Sequence, residues 1–479
     1  MIDHLRRTKI VATLGPTSSD REMIFKMTAA GVNVYRLNFS HGSHEDHKKR
    51  AELVRESSKK FGHEVAIMAD LQGPKIRIAR FKNKKVFLKE NDEFILDAEL
   101  EKEAGDESMV GIDYKELPQD VASGDVLLLD DGRVVLSVKD VQGFKIICQV
   151  VVGGELSNNK GINRQGGGLS AKALTDKDKD DLKFAVTLDV DYFAISFPRC
   201  AEDMEEAKRL IKAEGSGAGV IAKIERVEAV AAVDEIIKAS DGVMVARGDL
   251  GVEIGDAELP GVQKHIIQRA RALNKPAITA TQMMETMIHN VIPTRAEVFD
   301  VANAVLDNTD AVMLSAETAS GDHPHIVVAT MARVCRGAEK QPETQVSKHR
   351  VECRFEKVDE AIAMAAMYIA NHEDIKALVC LTESGSTPLL MSRIRSAIPI
   401  YAMTRNIATQ RKMHLYRSVY PMAFDVMARP LADIDHDAVA VLKDRSIVEE
   451  GDMVLITKGD VVGEHGHTNI VKIHKVDTI

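Results

Sequence analysis

Apolar residues fall along this chain in short, nearly continuous runs at positions 9–14, 32–39 and 65–69, and again at 192–197, 220–224, 242–246, 276–280 and 311–314. Each run ends in polar or glycine-containing sequence. Between the runs, positions 20–30, 45–60, 176–188, 201–213, 227–239, 261–273 and 294–306 space their apolar residues as amphipathic helices do. A strand apolar on both faces must be covered on both, and alternation with helices indicates a parallel sheet with that cover. Eight such units predict an α/β fold, a closed (β/α)8 TIM barrel.

The alternation breaks between 74 and 169, where short runs at 86–88, 93–98, 126–129, 134–138 and 144–152 are bounded by Gly, Asp and Pro. That texture predicts a small all-β, barrel-like domain inserted into a loop of the barrel. The barrel domain is then made of 1–73 and 170–345. Because strand-to-helix loops surround the active site of such barrels, the insertion is placed to act as a lid. A helix over 324–337 and a polar linker over 338–351 lead into a C-terminal α/β domain, 346–479, with strands expected at 375–381, 398–402 and 453–457.

Composition narrows the class. The 479 residues exceed what one core organises, and 45% hydrophobic with 28% charged residues is the balance of a folded soluble protein. With 63 basic and 73 acidic side chains interspersed, nucleic acid is excluded as the main partner, although local cations remain for small phosphates. The five cysteines lack metal-ligand spacing and read as reduced thiols. No apolar leader opens the chain and no run of 18 apolar residues crosses a bilayer, so the expected setting is cytoplasmic, with no membrane partner.

Candidate chemistry sits at the strand ends: Arg36 to Gly42 after the second, Asp70 to Arg77 after the third, Lys223 to Glu225 on the fifth, Arg247 to Gly251 after the sixth, Thr281 after the seventh. A barrel brings these onto one mouth. Glu225 and Asp249 offer hard carboxylate oxygens suited to Mg2+, although acids at strand ends also cap helices. Lys223 precedes Glu225 by two positions, which puts both on one side of a strand, as partners in an ion pair or as a cation beside a metal that neutralises a transferring phosphoryl group. Gly248 lets backbone approach a ligand, and the Thr281 hydroxyl serves a substrate or a helix cap. Arg36, Arg77 and Lys160 are candidates for phosphate, with Asn38 and His41 as polar neighbours. His41 has no companions at zinc spacing.

The ordered set Lys9-Ile10-Val11-Ala12-Thr13-Leu14-Gly15-Pro16, Asn38-Phe39-Ser40-His41-Gly42, Lys223-Ile224-Glu225-Arg226, Met244 to Glu253 and Ala280-Thr281-Gln282-Met283 resembles the pyruvate kinase family over essentially the whole chain. The resemblance implies phosphoryl transfer from phosphoenolpyruvate to ADP, a lid, a C-terminal allosteric domain and a homotetramer. It implies Arg36, Lys223, Gly248, Asp249 and Thr281 as substrate contacts, with Arg36, Lys223 and Thr281 catalytic. Glu225 and Asp249 would hold Mg2+, with Mn2+ as its substitute. Asn38, His41, Arg77 and Lys160 would face the nucleotide. Many members also bind K+ at the positions matching Asn38, Ser40, Asp70 and the backbone of Leu71, and carry glutamate where this chain has Lys75. The lysine ammonium supplies a monovalent charge, so catalysis is expected not to require K+.

In the last domain Thr382, Ser384, Gly385, Ser386 and Thr387 follow a strand as a phosphate cradle or an ordinary capped turn. The matching family region binds phosphorylated effectors. The facing segment 457–460 through 466–469 lacks the tryptophan and proline of many fructose-1,6-bisphosphate responders, which favours AMP or a sugar monophosphate. Two rival readings are a lyase or aldolase using an Mg2+-bound enolate at Glu225 and Asp249, and a noncatalytic scaffold. Lys223, the nucleotide candidates and the insertion favour the kinase.

Overall fold

In the computed structural model, which describes residues 5–74, 76–346, 349–461 and 466–477, eight parallel strands close into a barrel. They are β1 (Lys9–Leu14), β2 (Val34–Asn38), β3 (Ala66–Asp70), β4 (Tyr192–Ile195), β5 (Gly219–Ile224), β6 (Gly242–Ala246), β7 (Ala277–Ala280) and β8 (Ala311–Leu314). Each pairs with the next, and β8 closes on β1. Nearly every strand residue is buried, which is why the strands read as continuous apolar runs. Inward residues such as Val11, Met68, Ile221, Met244 and Met313 fill the barrel, while the alternate set, including Ile10, Ile67, Val220 and Val243, packs under the helices.

Local chemistry sets the helix ends. Ser43 caps helix His44–Phe61 through the Asp46 N–H, Thr175 caps Asp176–Thr187 through Asp178, and Thr294 caps Arg295–Leu306 through Glu297. The stretch expected as one helix over 227–239 is two, Val227–Ala231 and Val233–Ala239, which meet at Ala232.

The insertion between β3 and β4 is a six-stranded sheet in the order 162–164, 126–129, 134–142, 145–152, 93–97, 109–111, with a separate two-stranded ribbon of 85–88 and 154–157. It encloses its own core around Phe81, Phe94, Leu127 and Leu136. Its return to the barrel passes through Gly166, Gly167 and Gly168, at φ of 81°, 80° and 92°, a region where side chains are strained. Glu228 of the barrel accepts the Gly168 N–H, and Arg226 donates to the Leu169 carbonyl at 3.2 Å.

In the C-terminal domain a five-stranded sheet is ordered 419–423, 400–404, 375–381, 453–459, 468–475, parallel except for the last strand. Apolar clusters lie on both of its faces. This domain closes the N-terminal end of the barrel. Leu415, fully buried, joins the apolar cluster inside the barrel, the Tyr192 hydroxyl donates to the Lys412 carbonyl at 2.7 Å, and Arg393 pairs with Asp310. Among the described residues no helix is long and apolar enough to cross a membrane.

Candidate active site

Strand geometry persists to the end of β5, so Lys223 and Glu225 share a side, with Lys223 Nζ 2.9 Å from Glu225 Oε1. Two neighbours complete the ammonium's surroundings: Ser196 Oγ at 2.7 Å and Asp70 Oδ1 at 3.2 Å. The other Asp70 oxygen accepts Arg36 Nε at 2.6 Å, and Arg36 reaches Thr13 Oγ1 at 3.1 Å. Asp70 thus joins the two cations. Asp70 and Glu225 are each 1% exposed, whereas Arg36 and Lys223 are each 9% exposed, so the carboxylates form the buried layer and the cations the layer above it.

The electrostatics follow from that layering. Burial opposes the Lys223 charge, yet Asp70 and Glu225 raise its pKa above the ordinary lysine value, so the ammonium is fixed. Burial likewise opposes ionisation of Asp70, but Arg36 and Lys223 hold its carboxyl below the usual range. Glu225 is pushed up to about 7 by burial, against the pull of Lys223 and with the added repulsion of Asp249. Its second oxygen accepts the Phe197 N–H at 2.8 Å.

Glu225 and Asp249 are a fit for a divalent cation. Both present hard oxygen, and a cation relieves the repulsion that raises Glu225. Among the described residues no group of three or more His, Cys, Asp and Glu gathers as a metal site.

Asp249 lies in helix Arg247–Ile254, which begins directly after β6. Thr281 follows β7 at φ 65°, in the left-handed region that a β-branched residue rarely adopts. The Gly248 N–H donates to its hydroxyl at 2.9 Å, and that hydroxyl donates to the Ala280 carbonyl at 2.6 Å. Arg247 braces the same turn by pairing with Asp300 and donating to the Thr281 carbonyl at 2.6 Å. A cavity of about 540 Å3 opens here between Gly248, Asp249 and Gln282 of the barrel and Leu128, Asp131 and Gly132 of the lid.

The remaining candidates divide between barrel and lid. Asn38 accepts the Ser40 N–H at 3.1 Å at the end of β2, and His41 lies in the same turn. The Leu71 carbonyl accepts Ser196 Oγ at 2.7 Å. Lys160 pairs with Asp130 of the lid at 2.7 Å, and the Arg77 N–H donates to Asp113 at 2.7 Å on the edge of a lid cavity of about 400 Å3. Lys75 lies outside the described residues. Ser196, just past β4, and Thr13, near the end of β1, complete the contacts of Lys223 and Arg36; Thr13 belongs to the Lys9 to Pro16 motif, whereas no motif marks Ser196.

In the C-terminal domain a cavity of about 330 Å3 is lined by Thr382, Ser384, Ser386 and Thr387 on one side and Lys458 and Thr468 on the other. Gly385, at φ 81°, forms the turn and donates to Thr382 Oγ1 at 2.9 Å. The Thr387 and Thr468 hydroxyls meet at 2.7 Å, which joins the two sides. Within the facing segment, 462–465 lie outside the described residues.

Two family profiles match this chain: "Pyruvate kinase, barrel domain" over residues 5–328 and "Pyruvate kinase, alpha/beta domain" over residues 360–474. The chain is 58% identical over 481 residues to "Pyruvate kinase II" of Salmonella typhimurium, covering 100% of both. It is 53% identical to "Pyruvate kinase" of Buchnera aphidicola, over 99% of this chain and 100% of that relative. With "Pyruvate kinase" of Geobacillus stearothermophilus the identity is 39%, over 99% of this chain and 81% of the relative.

Proposed function

Because this chain belongs to the pyruvate kinase family, we propose that Lys223, Arg36 and Thr281 carry its reaction, the transfer of the phosphoryl group of phosphoenolpyruvate to ADP that yields pyruvate and ATP in glycolysis. The observation that carries the residue assignment is the layer of Arg36 and Lys223 held over buried Asp70 and Glu225. Phosphoryl transfer spreads negative charge over oxygens, and fixed cations that need no reorganisation stabilise that charge. Arg36 holds phosphoryl oxygen with a planar fork and Lys223 acts as a point charge. Thr281 stands at the turn where the enol carbon left by transfer must be protonated, and its hydroxyl orders water or substrate there. Bound at Glu225 and Asp249, Mg2+ supplies Lewis-acid charge stabilisation, and Mn2+ substitutes for it. Gly248 presents backbone to the substrate, while Asn38, His41, Arg77 and Lys160 take the nucleotide as the lid closes.

Catalysis does not require K+ in this reading. Lys75 provides a cation where many members have glutamate, and the candidate K+ donors already accept bonds: Asn38 from Ser40, Asp70 from Arg36 and Lys223, and Leu71 from Ser196. The hydroxyl-lined cavity of the C-terminal domain takes AMP or a sugar monophosphate as activator, supported by its size and by Lys458 on its wall. The protein works in the cytoplasm, a setting that five free thiols support, and assembles as the homotetramer that the family resemblance implies.

Initial-rate pyruvate formation from phosphoenolpyruvate and Mg2+, with and without ADP in K+-free buffer, tests the reading. Turnover that needs ADP and not K+ is expected. Continued inactivity with ADP, K+ and effectors all supplied to folded protein would reopen the lyase and noncatalytic readings.

A further inference from the structure

The turn from β2 into helix His44–Phe61 carries Asn38 and His41, and side chains from two helices grip it. His47, 1% exposed, stacks on Phe39 with ring centroids 4.2 Å apart and brings Nε2 to 3.0 Å from the His41 carbonyl. From the neighbouring helix Asp176–Thr187, Lys177 Nζ donates to the Phe39 carbonyl at 2.9 Å. Asp181 on that helix takes both Lys177, at 2.5 Å, and His44 Nε2, at 2.8 Å, while the His44 ring stacks on Phe184 at 4.0 Å.

We propose that His47 is a positioning residue for the nucleotide, which with Lys177 fixes the backbone of the 38–43 turn so that Asn38 and His41 meet ADP in one conformation. This rests on the reading of Asn38 and His41 as nucleotide contacts. The chemistry of the ring supports it. A carbonyl only accepts, so Nε2 carries the hydrogen, and Nδ1 is left buried without a partner. Burial and the nearby Arg50 charge push His47 down to about 4, which keeps the ring neutral and in this one tautomer at neutral pH. An apolar ring would stack on Phe39 equally well without an unsatisfied nitrogen. The imidazole therefore adds one thing to the packing, a donor directed at the His41 carbonyl.

The test compares His47→Gln, whose terminal nitrogen can replace Nε2 as donor, with His47→Phe, which keeps the stack and loses the donor. In His47→Phe the KM for ADP is expected to rise about tenfold, the loss of one buried hydrogen bond, with the KM for phosphoenolpyruvate unchanged. His47→Gln should restore wild-type values. Lys177→Met, at a partly exposed site, gives the same signature if His47→Phe does not fold. An unchanged ADP KM in both His47→Phe and Lys177→Met, or equal rises for the two substrates, would overturn the clamp. His41→Ala separates the two levels: a normal ADP KM there overturns the nucleotide reading itself, whereas a raised one beside a normal His47→Phe overturns the clamp alone.

Discussion

Lys223 Nζ stands 3.2 Å from Asp70 Oδ1, and that buried carboxylate is the shared counter-ion that lets Lys223 and Arg36 lie side by side. Replacing Lys223 with Met removes the point charge and little volume. Roughly a thousandfold loss of kcat is expected, with Mg2+ binding retained. The fold should lose less than the ~3–5 kcal/mol of a broken buried pair, because Arg36 stays on Asp70 and Glu225 can take up a proton. Steady-state kinetics, a Tm and a metal titration of the purified variant check all three; full activity would remove Lys223 from the mechanism.

Thr281 is held by its hydroxyl between the Gly248 N–H and the Ala280 carbonyl. Thr281→Ser keeps both bonds and should stay near wild type. Thr281→Ala should lower kcat by roughly 10²-fold with a smaller change in Tm. Equal activity of the two variants would show that the hydroxyl has no part in turnover.

Glu253 gives a pH dependence with a defined sign. Burial, with repulsion from Glu228 and against Arg226 and the Val227 N–H, raises its carboxyl to about 7 from an ordinary 4.5. Between those pH values the folded chain holds a proton that the unfolded chain has lost. Its contribution to stability is therefore fully present below about 4.5 and is lost as pH climbs from there through 7. Glu253→Gln removes the effect, so its Tm should match wild type near pH 5 and exceed it at pH 8, by a stability on the order of 2 kcal/mol. Parallel Tm profiles would contradict the shift.

The monovalent cation is tested at a single position. Wild type should turn over fully in Na+ or tetramethylammonium buffer of matched ionic strength, and Lys75→Glu should acquire activation by K+. A wild-type enzyme silent without K+ would rule out replacement of the cation by lysine.

The barrel was legible because strands buried on both faces leave apolar runs with no alternation to misread, and all eight lie where those runs fall. The C-terminal sheet was less so. Strand 419–423 carries Pro421 and lies at a sheet edge, where a missing N–H is tolerated, and the other edge strand, 468–475, mixes Ile470, Val471 and Ile473 with Asn, Lys and His. Neither looks like a buried run. In the site, the spacing of Lys223 and Glu225 predicted their contact, since two residues of strand suffice. The role of Asp70 as joint counter-ion was not legible, because it depends on the ring order of β2, β3 and β5. Ser196 was hidden for a similar reason: its strand ends at Ile195, and Phe197 turns to φ 55°, which no periodicity announces.

Leu415 comes from the C-terminal domain yet packs among the residues inside the barrel, beside neighbours such as Val11 and Met313. The two domains thus share part of one core. A barrel recombined with the C-terminal half of a distant relative inherits a floor shaped for another side chain, and either a void or a clash follows. Changes at this seam should be fixed in pairs, and natural shuffling of the two halves should be rare, however cleanly they divide by sequence.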